Sequence, residues 1–241
     1  MTNRFLRRDF IRASLISGGY IGLGASGILA PLVHAFGNIP EELPPDQSIY
    51  EMSGEVYVDG QLATQSTFIT AQSLVETGSN SHIIFVVGKD AHILRENSSL
   101  QLKGASKTLE SGLRLISGKL LSVLGKRKSG ESHQLETTTA TIGIRGTGIY
   151  TESAPDVSYV CTCYGLVDIV ANNDQQSTET IESKHHDAPR YILADGSEGK
   201  LITAAPFKNH TDEELSLIEA ITGRTPPFSS SMGYSSPRRG Y

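Results

Sequence analysis

Tryptophan is missing from all 241 residues, methionine occurs three times and cysteine twice, and aromatic residues make up only 7% of the chain. A core built from this chain must rest on isoleucine, leucine and valine, which dominate its apolar stretches. Two cysteines exclude a disulfide-dense scaffold. There is no phosphate-binding glycine loop, no His-Glu-x-x-His and no Gly-x-Ser-x-Gly nucleophile elbow. Each of those motifs marks a reaction class, and without them a non-enzymatic protein is expected. Long apolar runs are also scarce: Ala13 to Val33 carries no charge and approaches membrane-spanning length, and nothing after it does.

That run sits in an N-terminal leader. Arg4, Arg7, Arg8 and Arg12 against Asp9 give the first twelve residues a net charge of +3; Pro31 interrupts the apolar run, and Val33-His34-Ala35 offers a small-residue cleavage site. The element Arg7-Arg8-Asp9-Phe10-Ile11-Arg12 resembles the twin-arginine export motif, with Leu6 where serine or threonine is usual. The resemblance implies export of a folded chain through the twin-arginine translocase and a periplasmic mature protein. The alternative is an inner-membrane anchor left uncleaved. Removing residues 1–35 with their charge of +3 takes the chain from −5 to −8, a balance that repels nucleic acid phosphates and anionic lipid alike.

After the leader, residues 36–53 hold Pro40, Pro44 and Pro45 among acidic residues and read as an extended linker. From Gly54 to about Asp195 the pattern is short alternating runs with turn signals every eight to twelve residues. Val56 to Val58 ends in Asp59-Gly60, with its partner sought in 61–72. His82 to Val87 breaks at Gly88-Lys89-Asp90 and resumes at His92 to Arg95. Leu100 and Leu102 mark a further strand, and Leu113 to Ile116 pairs with Lys119 to Leu124 around Ser117-Gly118. Lys126-Arg127-Lys128 reads as a solvated loop tip. The expected fold is all-β, a two-layer sandwich or short β-solenoid.

In the extension over 196–223, Thr211 with Glu214 spells a capping box. Leu215, Ile218 and Ile221 give an apolar stripe, and Gly223 closes one short helix. Residues 224–241, rich in Pro, Ser, Gly and Arg, read as a disordered tail.

The most distinctive stretch is Thr137 to Tyr150, in which four of the first five residues are threonine. β-Branched content favours a strand with Ala140, Ile142 and Ile144 on one face. Ile149 falls out of phase, and Gly146 and Gly148 flank Thr147 at the break, so a bulge or bend is expected there. Arg145 beside that bend reads first as a structural clamp, its five donors tying carbonyls or a carboxylate, and second as a ligand-binding arginine. This stretch resembles the signature of FecR-like domains on Thr137, Ala140, Arg145, Gly146 and Thr147, with Gly165 in the following strand. The resemblance covers about 54–192. It implies a periplasmic β module that binds an envelope protein partner and relays a signal, linked in the best-known members to iron uptake. No cytoplasmic anti-sigma segment is evident, so the sigma-factor role does not transfer with the module.

One constellation could carry chemistry of its own. Cys161 and Cys163 lie two apart in a strand-like run, so both thiols face the same way with their Cα atoms about 6.6 Å apart. That is the upper edge of disulfide geometry. Two parallel thiols form half of a soft-metal site, and His185-His186, in a loop before Pro189, are the candidate other half. Such a set suits zinc or copper(I) and defines an alternative function, a periplasmic metal-binding or redox protein. The competing reading is that the cysteines fill the core as small hydrophobes. His82, His92, His133 and His210 are dispersed and individually uninformative.

Overall fold

The computed structural model of the protein describes residues 40–104, 106, 110–127 and 133–228; the leader, with Arg7, Arg8 and Phe10, lies outside the described residues. Among the described residues, fourteen strands share one hydrogen-bonded sheet: β1 (Ile49–Ser53), β2 (Val56–Val58), β3 (Gln61–Leu62), β4 (Leu74–Thr77), β5 (His82–Val87), β6 (Asp90–Leu94), β7 (Ser98–Gly104), β8 (Glu110–Val123), β9 (His133–Glu136), β10 (Ala140–Ser153), β11 (Val157–Ala171), β12 (Asp174–Ser183), β13 (Arg190–Leu193) and β14 (Ile202–Ala204). A short helix, α1 (Asp212–Ala220), follows. Neighbouring strands are antiparallel except β8 and β9, which run parallel over a short register. No helix among the described residues is long and apolar enough to cross a membrane.

Three long strands bend and change partners, and the bends turn one sheet into two layers. β8 bends at Gly118, β10 at Gly146 and β11 at Gly165, all with positive φ. Before its bend β8 pairs with β7, and after it with β6 and the second half of β10. The first half of β10 pairs instead with β9. β11 follows β10 throughout, taking β13 on its other side at the start and β12 after Gly165. One layer therefore runs β12-β11-β10-β9-β8-β7-β4-β2-β3, and the other β14-β13-β11-β10-β8-β6-β5-β1. The β10–β11 register slips on both sides of Gly148, where the apolar phase of the sequence breaks. A Cβ on Gly165 would stand 2.4 Å from Thr147 Cγ2 and 2.7 Å from the Gly146 carbonyl, and one on Gly118 2.1 Å from Ser98 Oγ. Neither corner can carry a side chain without moving its neighbour.

The two-residue period sorts side chains into two apolar clusters. Phe85, Leu94, Leu120, Ile149 and Val160 point between the layers, where they meet Leu102, Leu113, Leu135, Ile142, Ile144, Val167 and Ile169. Their sequence neighbours Ile84, Ile93, Leu121, Tyr150 and Cys161 point to the outer face of the β6-containing layer. That face is roofed by α1 through Leu215, Ile218 and Ile221. The helix starts at the expected capping box. The Glu214 amide donates to Thr211 Oγ1 at 3.3 Å, and the Thr211 amide to the Glu214 carboxylate at 3.0 Å. Glu214 also receives Arg95 Nη2 at 2.8 Å, the two side chains being 2% and 6% exposed.

Five expectations are corrected. Thr137 to Thr139 are not strand: Thr137 Oγ1 accepts the Ala140 amide at 2.9 Å and the Ser158 hydroxyl at 2.7 Å. Local side-chain bonding displaces the ladder there, and β10 begins at Ala140. Leu113 to Val123 lies in one bent strand and no hairpin, because the positive φ of Gly118 redirects the chain without reversing it. Arg127 is no solvated loop residue: it pairs with Asp90 with both side chains almost fully buried. β1 occupies the end of the stretch expected as linker, and β3 takes only two residues of 61–72.

Candidate metal centre

The site begins with β11. Its outward positions in the helix-covered layer place Cys161 and Cys163 on the same side of the strand, both free thiols and both 0% exposed. The loop between β12 and β13 then folds over them. Its shape is set by Asp187, whose carboxylate accepts the amides of Lys184 at 2.8 Å and His185 at 3.3 Å and the Ser183 hydroxyl at 3.3 Å. Burial raises the Asp187 carboxyl, and these backbone donors more than offset it, leaving it below the usual carboxylate range. The His186 amide donates to the Cys163 carbonyl at 2.9 Å, fixing the loop to β11. His186 takes a left-handed backbone, φ 54°. That conformation lets adjacent histidines aim at a common region as a strand could not.

His186 Nδ1 lies 3.5 Å from Cys161 Sγ, and its Nε2 lies 3.0 Å from Asp212 Oδ1 at the start of α1. The fourth group arrives from the chain between β14 and α1: His210 Nε2 stands 3.1 Å from His186 Nδ1. Its ring stacks on Tyr150 at 4.5 Å and 18° and packs on Phe207 at 4.5 Å. His210 Nδ1 faces the Lys208 carbonyl at 2.8 Å. One donor atom from each of Cys161, Cys163, His186 and His210 lies within 4.8 Å of the others.

The predicted residues are thus partly assembled. Cys161, Cys163 and His186 come together as expected. His185 does not complete the set: its Nε2 binds the Asp212 carboxylate at 2.9 Å and 3.0 Å. His210 stands in its place, 24 residues downstream of His186. The sequence signal that could have found it is weak, a histidine just before a capping box.

The protonation pattern suits ligation. The Lys208 carbonyl can only accept, so Nδ1 of His210 donates to it and Nε2 is the nitrogen that faces the cluster. The Asp212 carboxylate likewise accepts the Nε2–H of His186, whose Nδ1 faces Cys161 and His210. The two facing ring nitrogens, 3.1 Å apart, need a cation between or beside them: the proton that the raised His186 carries near neutrality, or a metal that displaces it. For Cys161, burial raises the thiol, but hydrogen bonds from Cys163, His186 and His210 outweigh it and hold it well below the ordinary thiol range. Cys163 is pushed up, by burial first and then by the neighbouring Cys161 sulfur. His186 loses basicity to burial and regains more from Asp212 and Cys161, ending at about 9. Asp212 is raised by burial and lowered further by its two histidines.

The rest of the signature serves the corner. Arg145 is 67% exposed at its side chain and donates from Nη2 to Asp168 Oδ2 at 2.7 Å across the strand pair. It ties one carboxylate, as the clamp reading expects, but does so at the surface, because its position on β10 faces solvent. Gly146 and Gly165 form the bend, Thr147 packs between them fully buried, and Ala140 lies in the inter-layer core. A cavity of about 550 Å³ opens at this corner between Tyr164, Lys126, His185, Arg224 and Phe228; neither cysteine lines it. Beyond Gly223, Arg224 bonds Glu219 at 2.5 Å, and the Phe228 ring packs 4.7 Å from that of His185.

The fold and site together define an all-β sandwich with a closed cluster of two cysteines and two histidines under its helix. No protein-family model and no curated protein matches the sequence. Among solved structures, two of a protein from Parabacteroides distasonis, provisionally assigned as an anti-sigma factor, align with a TM-score of 0.45 at 10% and 9% identity. The match takes in 56% of this chain and 60% of that one, so this chain spans less than two thirds of its length.

Proposed function

We propose that this chain is a non-enzymatic, metal-holding sensing module of the cell envelope, with Cys161, Cys163, His186 and His210 binding one zinc or copper(I) ion. The observation that carries the reading is the convergence of four buried donors from three separate chain segments within 4.8 Å. Both ring ligands also have the outer hydrogen-bond partner that orients metal-bound imidazoles. Two thiolates favour a thiophilic ion, and sets of two cysteines and two histidines are characteristic of closed structural zinc sites.

Cys161, His186 and Asp212 also spell the thiol, imidazole and carboxylate series of a cysteine nucleophile. The Cys161 side chain is 0% exposed, however. Four protein donors also leave no open position for substrate. A binding and sensing role follows more naturally than a catalytic one. The resemblance of Thr137, Ala140, Arg145-Gly146-Thr147 and Gly165 to FecR-like domains supports a periplasmic module that binds an envelope protein. The twin-arginine element, Arg7-Arg8 with Phe10, supports export after folding, which lets the ion be inserted in the cytoplasm.

Metal analysis of the chain purified without a histidine tag tests the reading. The expected result is one ion per chain, lost in the Cys161→Ser/Cys163→Ser variant. Wild-type protein with no stoichiometric metal, as isolated and after reconstitution with zinc or copper(I), rejects it. Cell fractionation with Arg7→Lys and Arg8→Lys tests export: the substituted chain should stay in the cytoplasm.

A further inference from the structure

Three of the four donors are fixed by the sheet. Cys161 and Cys163 belong to β11, and His186 is tied to it through the Cys163 carbonyl. The fourth donor and the outer carboxylate, His210 and Asp212, belong to a different body, the stretch from Ala205 to Gly223 that runs in from β14 and ends in α1. This stretch covers the outer face of the β6-containing layer, whose buried residues include Ile84, Ile93, Leu121 and Tyr150. Its other attachments are polar: the buried pair of Arg95 with Glu214 at 2.8 Å, Arg95 to the Asn209 carbonyl at 2.8 Å, Tyr164 to Glu219, Lys208 to Glu152 at 2.7 Å, and the Leu43 amide to the Ile221 carbonyl at 2.9 Å.

An ion bound by all four donors is therefore a cross-link between the sheet and the helical segment. Resting on the assignment of the cluster as a metal site, we infer that the ion works as a latch: its binding holds residues 205–223 over the apolar outer face, and its loss frees them. The free energy of ion binding and that of segment docking are then linked, and each must strengthen the other by the same factor. Without the ion, the apposed imidazoles and thiols contribute only the weak bonds that a proton can supply, while the outer face keeps its apolar residues. Ion availability is thereby converted into exposure of one defined surface, which is the kind of output a sensing module needs.

Hydrogen exchange, followed by mass spectrometry on the full mature chain, tests this in metal-free and zinc-loaded samples whose zinc content is measured in parallel. Zinc at one per chain should slow the amides of 207–222 by roughly tenfold or more, while those of β5 and β7 change by less than about twofold. Bound zinc with no selective change in 207–222 overturns the latch and leaves the metal site standing; failure to bind zinc overturns the site and the latch together. The Leu215→Ala/Ile218→Ala variant keeps every ligand and weakens only docking. Its zinc affinity should fall by about tenfold or more, and an unchanged affinity overturns the latch.

Discussion

Replacing Arg95 with methionine should lower the stability of the fold several times more than the same change at Arg145. Arg145 stands in the most recognisable motif, yet its side chain is 67% exposed and holds the carboxylate of Asp168, itself 38% exposed. Exposed pairs of this kind contribute about 0–1 kcal/mol. Arg95 follows β6 in no recognisable motif and donates to Glu214 at 2.8 Å and 3.0 Å, with side chains 6% and 2% exposed. Removing one partner of a buried pair costs about 3–5 kcal/mol, because the other charge stays buried and uncompensated. Arg95→Met keeps the apolar stem and strands Glu214, which also loses rigidity as the cap of α1. At about 2–4 °C per kcal/mol for a chain of this size, Arg95→Met should lower Tm by roughly 10 °C, and Arg145→Met by about 3 °C or less. Adding Glu214→Gln to Arg95→Met should recover part of the loss, since the stranded charge is gone. Thermal melts by far-ultraviolet circular dichroism, with near-ultraviolet tyrosine signals to report the region under α1, measure all three. An Arg145→Met shift equal to or larger than that of Arg95→Met refutes the reasoning.

Gly165→Ala should destabilise the fold by about 2 kcal/mol or more, read from urea midpoints. The added methyl meets Thr147 and the Gly146 carbonyl at a positive φ. His210→Ala should weaken zinc binding by roughly 100-fold or more, and His185→Ala by about tenfold or less, with competition against a chromogenic chelator to distinguish them. The difference follows from His185 bonding the outer carboxylate while His210 supplies a donor atom. Zinc affinity should rise with pH toward 9. His186, raised to about 9, and Cys163, raised above the usual thiol, both carry protons at neutral pH that the ion must displace. Calorimetry in buffers of different ionisation enthalpy should then show net proton release, and an affinity independent of pH between 6 and 9 would contradict the assignment (about a 30-fold or larger rise is expected for one displaced proton).

Much of the architecture is local and so was written in the chain order. Apolar runs broken at Gly88-Lys89-Asp90 mark β5 and β6, alternation marks β7, the Asp59-Gly60 turn follows β2, and the Thr211–Glu214 box starts α1, because each depends on residues a few positions apart. The phase break at Gly146 to Gly148 likewise foretold a bend. Half of the candidate site was legible for the same reason: Cys161 and Cys163 share a face by spacing alone, and His186 is in a loop that Pro189 helps to define. What only the tertiary structure decided is which distant segment completes it. His210 reaches the cluster because α1 packs across the outer face and carries the preceding residues back over β11, whereas the adjacent His185 is turned to Asp212. The same long-range packing buries Arg95 against Glu214, 119 residues away, and leaves Arg145 in solvent. Sequence spacing sets the direction a side chain takes from its own strand; which partner it meets there depends on contacts between segments that no local pattern records.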